Sequence, residues 1–142
     1  MYREGEMMAS FRLEGVEEFQ KKLRTVEKRA PDRIIDKLDE VGRDLRKAAR
    51  ANTPKGKTGN LRKGYRLTQV EKVQGGYQKG LYNKAPHHHL VNNGHRKVSP
   101  SGKVLGWTEG LFYIEKTMAE QEETIANELE NWLDELFQEL SR

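Results

Sequence analysis

Arg66–Asn83 reads RLTQVEKVQGGYQKGLYN. Two runs that mix β-branched, aromatic and leucine side chains with basic ones meet at Gly75–Gly76. A glycine pair between two such runs predicts a β-hairpin, because a tight turn needs backbone angles that glycine adopts without strain. The flanks of this hairpin carry a different period. Upstream, Val16, Phe19, Leu23 and Val26 recur at helical spacing. Ile34, Ile35, Leu38, Val41, Leu45, Ala48 and Ala49 then form a second apolar stripe, as an amphipathic helix requires. Pro31 stands between the stripes. Proline is tolerated in a first helical turn, so the segment is one long helix kinked at Ala30–Pro31 or two helices. It stops near Asn52–Thr53–Pro54, because the residue before a proline disfavours helix. Downstream, Ile114, Met118, Ile125, Leu129, Trp132, Leu133, Leu136, Phe137 and Leu140 line one face of a helix placed between Thr108 and Leu140. Thr108 with Leu111, or Thr117 with Glu120, is its expected cap; the second pair has capping-box spacing.

The remaining segments are shorter. Ser10–Glu14 alternates Phe11 and Leu13 with polar neighbours and predicts a strand ending at Gly15. Residues 52–60 (NTPKGKTGN) read as loop. Residues 85–106 read as irregular, with one helical turn at His89–Val91 and a mobile stretch over 96–104. Residues 1–9 are expected to be flexible. There is no internal repeat. The order β, long α, hairpin, loop, long α predicts an α+β fold. In it a small antiparallel sheet is flanked by a long N-terminal and a long C-terminal amphipathic helix, within one domain spanning 1–142.

Composition narrows the function classes. The 142 residues are 35% hydrophobic and 34% charged, against about 25% charged in an average domain. The core is therefore lean, or partners complete some faces. The absence of cysteine excludes a disulfide framework, thiol catalysis and cysteine-based zinc sites. No apolar run approaches the roughly 20 residues of a membrane span, and MYREGEMMASFRLEG lacks the apolar region of a signal peptide. The expectation is an intracellular or particle-associated protein without a membrane partner.

Charge is divided along the chain. Residues 1–42 carry a net charge of −1, residues 43–103 carry +13, and residues 104–142 carry −8. The basic middle suits phosphate or an acidic partner. Equally, the basic and acidic segments can neutralise each other within the fold or between subunits.

Several chemistries match part of these residues. Gly56–Lys57–Thr58 ends like a phosphate-binding loop, but that motif needs a glycine where Ala51 stands and a strand where a helix precedes. Lys55, Lys57, Arg62 and Lys63 around the glycine turn read either as a solvated loop or, more simply than a nucleotide site, as phosphate contacts. His87, His88, His89 and His95 form the obvious metal candidate. No carboxylate lies between Lys72 and Thr108, and the triplet lacks helical i, i+4 spacing, so structural or interface histidines are expected, with no metal and no cofactor. His89, Asn92 or Asn93, and His95 supply the letters of an HNH nuclease. They are squeezed into seven residues, where such sites spread over a larger unit around a divalent ion. A metal-dependent nuclease on the His87–His95 cluster and a nonspecific basic DNA-binding protein are the alternatives to a structural role. Nucleophilic catalysis has no support, and no catalytic residue is assigned.

One constellation goes further. Thr53–Pro54 and Lys57–Thr58–Gly59–Asn60–Leu61–Arg62 follow the long helix; the basic hairpin comes next; then Ala85–Pro86–His87–His88–His89–Leu90–Val91–Asn92–Asn93–Gly94–His95–Arg96; then Val104–Leu105–Gly106–Trp107 and the last helix. This order resembles the gene-ten-like tail-component family of long-tailed bacteriophages over nearly the whole chain, from Phe11 to Leu140. The family's P, then T-G-x-L turn falls on Pro54, Thr58, Gly59 and Leu61. Its A-P-H-x-H-L-V-E-x-G-H-R segment falls on Ala85, Pro86, His87, His89, Leu90, Val91, Gly94, His95 and Arg96. The departure is Asn92, where an acidic residue is common.

The resemblance implies a virion structural protein that completes the tail or joins it to the DNA-filled head. Such a protein assembles as a ring around the DNA channel, with head-connector and tail-tube or tail-terminator proteins as partners. On that reading Thr58, Gly59, Leu61, His87, His89, Leu90, Val91, Gly94, His95 and Arg96 serve assembly and interfaces. Lys55, Lys57, Arg62 and Lys63 face packaged DNA. The protein would reside in the neck or tail end of the virion, and in the host cytoplasm during assembly.

Overall fold

In the computed structural model, which describes residues 8–12, 17–56, 58–86 and 88–141, Pro31 divides the N-terminal stripes into two helices. Helix α1 (Glu17–Arg29) begins with Glu17 and Glu18 and ends with Lys28 and Arg29, charges that complement the helix dipole. Ala30 breaks the geometry at φ −152°, ψ 62°, and α2 (Pro31–Asn52) restarts with proline in its first turn, where no amide is needed. Thr53 is extended at φ −93°, ψ 135°, as a residue before proline must be.

The sheet is antiparallel. Its centre is β4 (Gly76–Asn83), with β1 (Met8–Arg12) on one side and, in succession on the other, β2 (Tyr65–Leu67) and β3 (Glu71–Val73). The turn at Gly75 uses φ 81°, so the glycine signal located the hairpin correctly. The first strand is shifted from the expected Ser10–Glu14. Met8 pairs with Tyr82 and Ala9 with Leu81, so strand pairing extends into the stretch expected to be flexible. Residues 1–7 and 13–16 lie outside the described residues.

Helix α5 (Tyr113–Leu140) covers α1 and α2 and closes two apolar groups. One joins Leu23, Val26, Ile34, Leu38, Val41 and Tyr77 to Leu129, Leu133 and Leu136. The other joins Leu45, Ala49, Tyr65 and Leu81 to Tyr113 and Ile114. Partly buried Ile125 packs against both. Ion pairs at the rim bind the same helices: Lys22–Asp134 at 2.6 Å and Lys37–Glu128 at 2.9 Å.

Lys79 is the exception within the sheet's buried face. Its ammonium bonds to Asp39 at 2.9 Å and to the Thr68 carbonyl at 2.6 Å, which satisfies a charge that burial would otherwise penalise. Its stem crosses α2 at Gly42, where a Cβ would lie 2.7 Å from Cε and 2.9 Å from Cδ. Gly42→Ala is therefore expected to cost about 1–3 kcal/mol. Thermal melts of Gly42→Ala, Lys79→Ala and the double variant test the cause: the double variant should lose less than the two singles added together. Additive losses would show that the crossing is not the source.

The largest difference from the sequence reading lies at 85–106. That segment holds α4 (His88–Asn93) and most of a second antiparallel hairpin, β5 (Gly94–Val98) and β6 (Val104–Glu109). Residues 96–104, expected as a mobile loop, hold the strand ends and their turn. Ser99 N donates to Lys103 O at 2.9 Å, and Gly102 N donates to Ser99 O at 2.8 Å with Gly102 at φ 89°. A register shift at Lys97/Val98 breaks the pairing, and with it the strict alternation that marks a strand. Because β6 takes Thr108, α5 begins at Tyr113, and neither expected capping pair operates. Thr117 lies inside the helix, its hydroxyl donating to Tyr113 O at 2.6 Å. A short turn of helix, α3 (Asn60–Lys63), begins at the last residue of the expected loop and precedes β2.

Candidate functional site

The two motif segments meet at one end of the fold. Gly59 sits at φ 72° ahead of α3, a left-handed conformation that glycine adopts without strain. The Thr58 hydroxyl accepts the Asn60 amide at 3.2 Å and shapes the turn. Leu61 packs against the second apolar group, and its carbonyl accepts Asn83 Nδ2 at 2.8 Å. Asn83 Oδ1 in turn accepts the Ala85 amide at 2.8 Å, and Gly64 O accepts Lys84 N at 2.8 Å. A Cβ on Gly64 would collide with Asn83 Oδ1 and stand 3.1 Å from Ala85 N. Arg62 Nε donates to Thr53 O at 2.7 Å and ties α3 back to the end of α2.

Beneath this clamp lies a buried polar group. The Thr53 hydroxyl donates to Ala49 O at 2.5 Å and lies 2.6 Å from the Tyr65 hydroxyl. The Tyr113 hydroxyl lies 2.6 Å from His88 Nδ1. The rings of Tyr65, His88 and Tyr113 meet edge to face, with centroids 6.4 and 5.5 Å apart. Burial pushes the Tyr65 phenol above its ordinary range, against the pull of hydrogen bonds from Thr53 and Asn83. Burial raises Tyr113 as well, reinforced by Tyr65 and the Glu115 carboxylate. Both phenols thus stay neutral and act as hydrogen-bonding groups.

Asn92 connects α4 to α5. Its Oδ1 accepts the Ile114 amide at 3.1 Å; its Nδ2 donates to the two Glu115 carboxylate oxygens at 3.2 and 3.0 Å and to Asn93 Oδ1 at 2.9 Å. The residue flanking α5, Phe112, has φ 48° and no side-chain cap. Asn92 supplies that cap from 22 residues away, satisfying one of the amides that a helix start leaves open. In return, the carbonyls of Val91 and Asn92 accept Leu111 N at 3.0 Å and Phe112 N at 2.8 Å. Gly94, at φ 91°, turns the chain from α4 into β5. The departure from the acidic family pattern is thereby accommodated: Asn92 keeps the acceptor, and Glu115 brings a carboxylate beside it.

Thr58, Gly59 and Leu61 form the α3 turn, and Val91 packs beneath α4. The backbones of His89 and Leu90 lie on α4 and those of His95 and Arg96 on β5, so the histidines are divided between elements. Among the phosphate candidates, Lys55 and Lys63 are exposed, and Arg62 is exposed with Nε engaged by Thr53. His87 and Lys57 lie outside the described residues.

The sequence reading missed a second basic group. Arg43, Arg46 and Arg50 recur at i, i+3, i+7 along α2 and stand with Arg66 of β2. Burial lowers the Arg46 pKa first, and Arg50, Arg66 and Arg43 lower it further. Among the described residues none of the four has an ion-pair partner. Arg66 spends one nitrogen on the carbonyls of Lys63 and Tyr65, both at 2.8 Å. The arginine spacing in the helix was the available signal. By contrast, the converging carboxylates of Glu40, Asp44 and Glu128 surround Lys37, which is 2.9 Å from Glu128 and 3.7 Å from Glu40. They belong to the packing of α2 on α5.

No helix of the described residues is long and apolar enough to cross a membrane. No curated protein and no solved structure matches the chain. A family profile described as "Bacteriophage HK97-gp10, putative tail-component" matches residues 17–94, which runs from the start of α1 through the α3 turn and the central hairpin to the end of α4. With more than half of its length under that profile, and with the clamp built from the motif residues, the chain belongs to the bacteriophage HK97-gp10 family of tail components.

Proposed function

We propose that this protein is a non-enzymatic virion component that completes the tail or joins it to the DNA-filled head, as a ring around the DNA channel. Its partners on this reading are copies of itself, the head-connector proteins, and the tail-tube or tail-terminator proteins. Its place is the neck or tail end of the virion, after a passage through the host cytoplasm. The observation that carries the DNA-facing part is the arginine group on α2 and β2. Four cations are held together without acidic partners among the described residues, and one of them is partly desolvated. Such a group lowers its free energy by meeting phosphates or carboxylates. With Lys55, Lys57, Arg62 and Lys63 it supplies a cationic surface that contacts backbone phosphate without reading sequence. The interface residues Thr58, Gly59, Leu61, His87, His89, Leu90, Val91, Gly94, His95 and Arg96 then shape or line the assembly contacts around the clamp.

The test is electron microscopy of lysates from the parent phage with this gene deleted. Filled heads and complete tails should lie separate, and the wild-type gene in trans should rejoin them. Joined, normal virions would overturn the reading. The same arginines favour a second reading, nonspecific DNA binding. It requires the isolated protein to bind duplex DNA with an affinity that falls steeply with salt.

A further inference from the structure

We infer that the β5–β6 hairpin is an arm that lies on the outward face of α5 in a second copy of this chain. The inference deepens the ring reading above and rests on it.

Two strands alone are marginally stable in water. This pair nevertheless exposes its apolar side chains: Val104 is 56% exposed, Leu105 64% and Trp107 53%. Leu111 and Phe112, at the base of the arm, are also exposed. In its own copy the hairpin packs chiefly on α4. A grouped apolar surface of this kind marks a contact site, and an exposed tryptophan is a frequent anchor of such contacts.

Charge selects the occupant. The arm's sequence contributes Arg96, Lys97 and Lys103 against the single acid Glu109. The outward side of α5 carries exposed Glu122, Glu123 and Glu130, none in an ion pair among the described residues. Exposed Ala119 and Ala126 lie among these acids, and their small side chains leave room for apolar groups to seat. A basic, apolar arm and an acidic helix face with small residues are complementary in both respects. They also lie on different parts of the chain. Contacts between two unlike patches can repeat head-to-tail, the type that closes into a ring when the rotation permits, and the ring reading selects that arrangement.

The test uses the full chain in sedimentation experiments, with single-copy or ring occupancy read on tails purified from phage lacking the gene. Wild type should form a ring in solution or on tail ends. Leu105→Ser/Trp107→Ser should melt like the dissociated wild-type chain, because both side chains are exposed in the single copy, and should lose self-association at least ten-fold. Arg96→Glu/Lys97→Glu/Lys103→Glu and Glu122→Lys/Glu123→Lys/Glu130→Lys should each fail to associate alone and should associate when mixed. Arm variants that assemble like wild type would overturn the arm and leave the ring intact. So would reversed partners that stay apart when mixed, because the arm would then contact a different protein. A wild type that remains single in solution and on tail ends would overturn the ring reading and this inference together.

Discussion

Gly110→Ala is expected to destabilise the protein by about 3–5 kcal/mol, the range of a severe steric fault. Gly110 passes directly against the end of α4. A Cβ there would strike Asn92 O, stand 2.5 Å from Asn93 C and stand 2.7 Å from Gly94 N. All three are backbone atoms, so no side chain can rotate aside. The neighbouring amides of Leu111 and Phe112 are bonded to Val91 O and Asn92 O, and the chain cannot move away without breaking both. Thermal unfolding checks this: the midpoint should fall on the order of 10 °C. Gly102→Ala is the control, because a Cβ at Gly102 meets nothing within 4 Å and only its φ of 89° is strained. An unchanged midpoint for Gly110→Ala would mean that α4 and α5 are not joined in this way.

Asn92→Leu is expected to cost about 2–4 kcal/mol, since it removes a helix cap and strands a buried amide at once. Asn92→Asp separates the two roles of the side chain. An aspartate still accepts the Ile114 amide, and a helix start favours an anion. It also places a second carboxylate against Glu115, where Nδ2 now donates at 3.0 and 3.2 Å. The folded-state pKa of one member of that pair must rise above its unfolded value. A raised folded pKa contributes stability that is fully present below the unfolded pKa and is lost as pH rises through the folded pKa. Asn92→Asp should therefore lie closest to wild type in acid and fall behind it toward neutral pH. Adding Glu115→Gln should remove that dependence. Urea unfolding at several pH values reads all of these outcomes. A pH-independent deficit in Asn92→Asp would show that Glu115 does not face position 92.

Asn92 sits in the stretch read as irregular and Gly110 in the stretch read as the start of the last helix, and the reason neither was placed is physical. The stripes of α1, α2 and α5 were legible because each helix presents one apolar face to the interior: Leu23 and Val26 on α1, Ile34, Leu38, Val41, Leu45 and Ala49 on α2, and Leu129, Leu133 and Leu136 on α5 repeat at the helical period. The central hairpin was legible because Gly75 needs a positive φ. The motif turns at Gly59 and Gly94 were legible on the same ground, with φ of 72° and 91°. The arm was not. Val104, Leu105 and Trp107 are all exposed, so no core imposes alternation on them, and a register shift at Lys97/Val98 breaks what remains. The arginine group was half legible: the spacing of Arg43, Arg46 and Arg50 is in the sequence, but Arg66 joins it only through the packing of β2 beside α2.

Local chain physics thus determined the helices, the place where Pro31 divides them, the central hairpin and the mixed α+β class. Tertiary structure decided where α5 begins, because its cap comes from Asn92, 22 residues away. It also decided that Lys79 can be buried, because Asp39 and Gly42 stand opposite it. Periodicity and turn chemistry act over a few neighbouring residues and can be read along the chain. A remote cap, a buried ion pair and a patch of like charge depend on distances that exist only once the elements have packed.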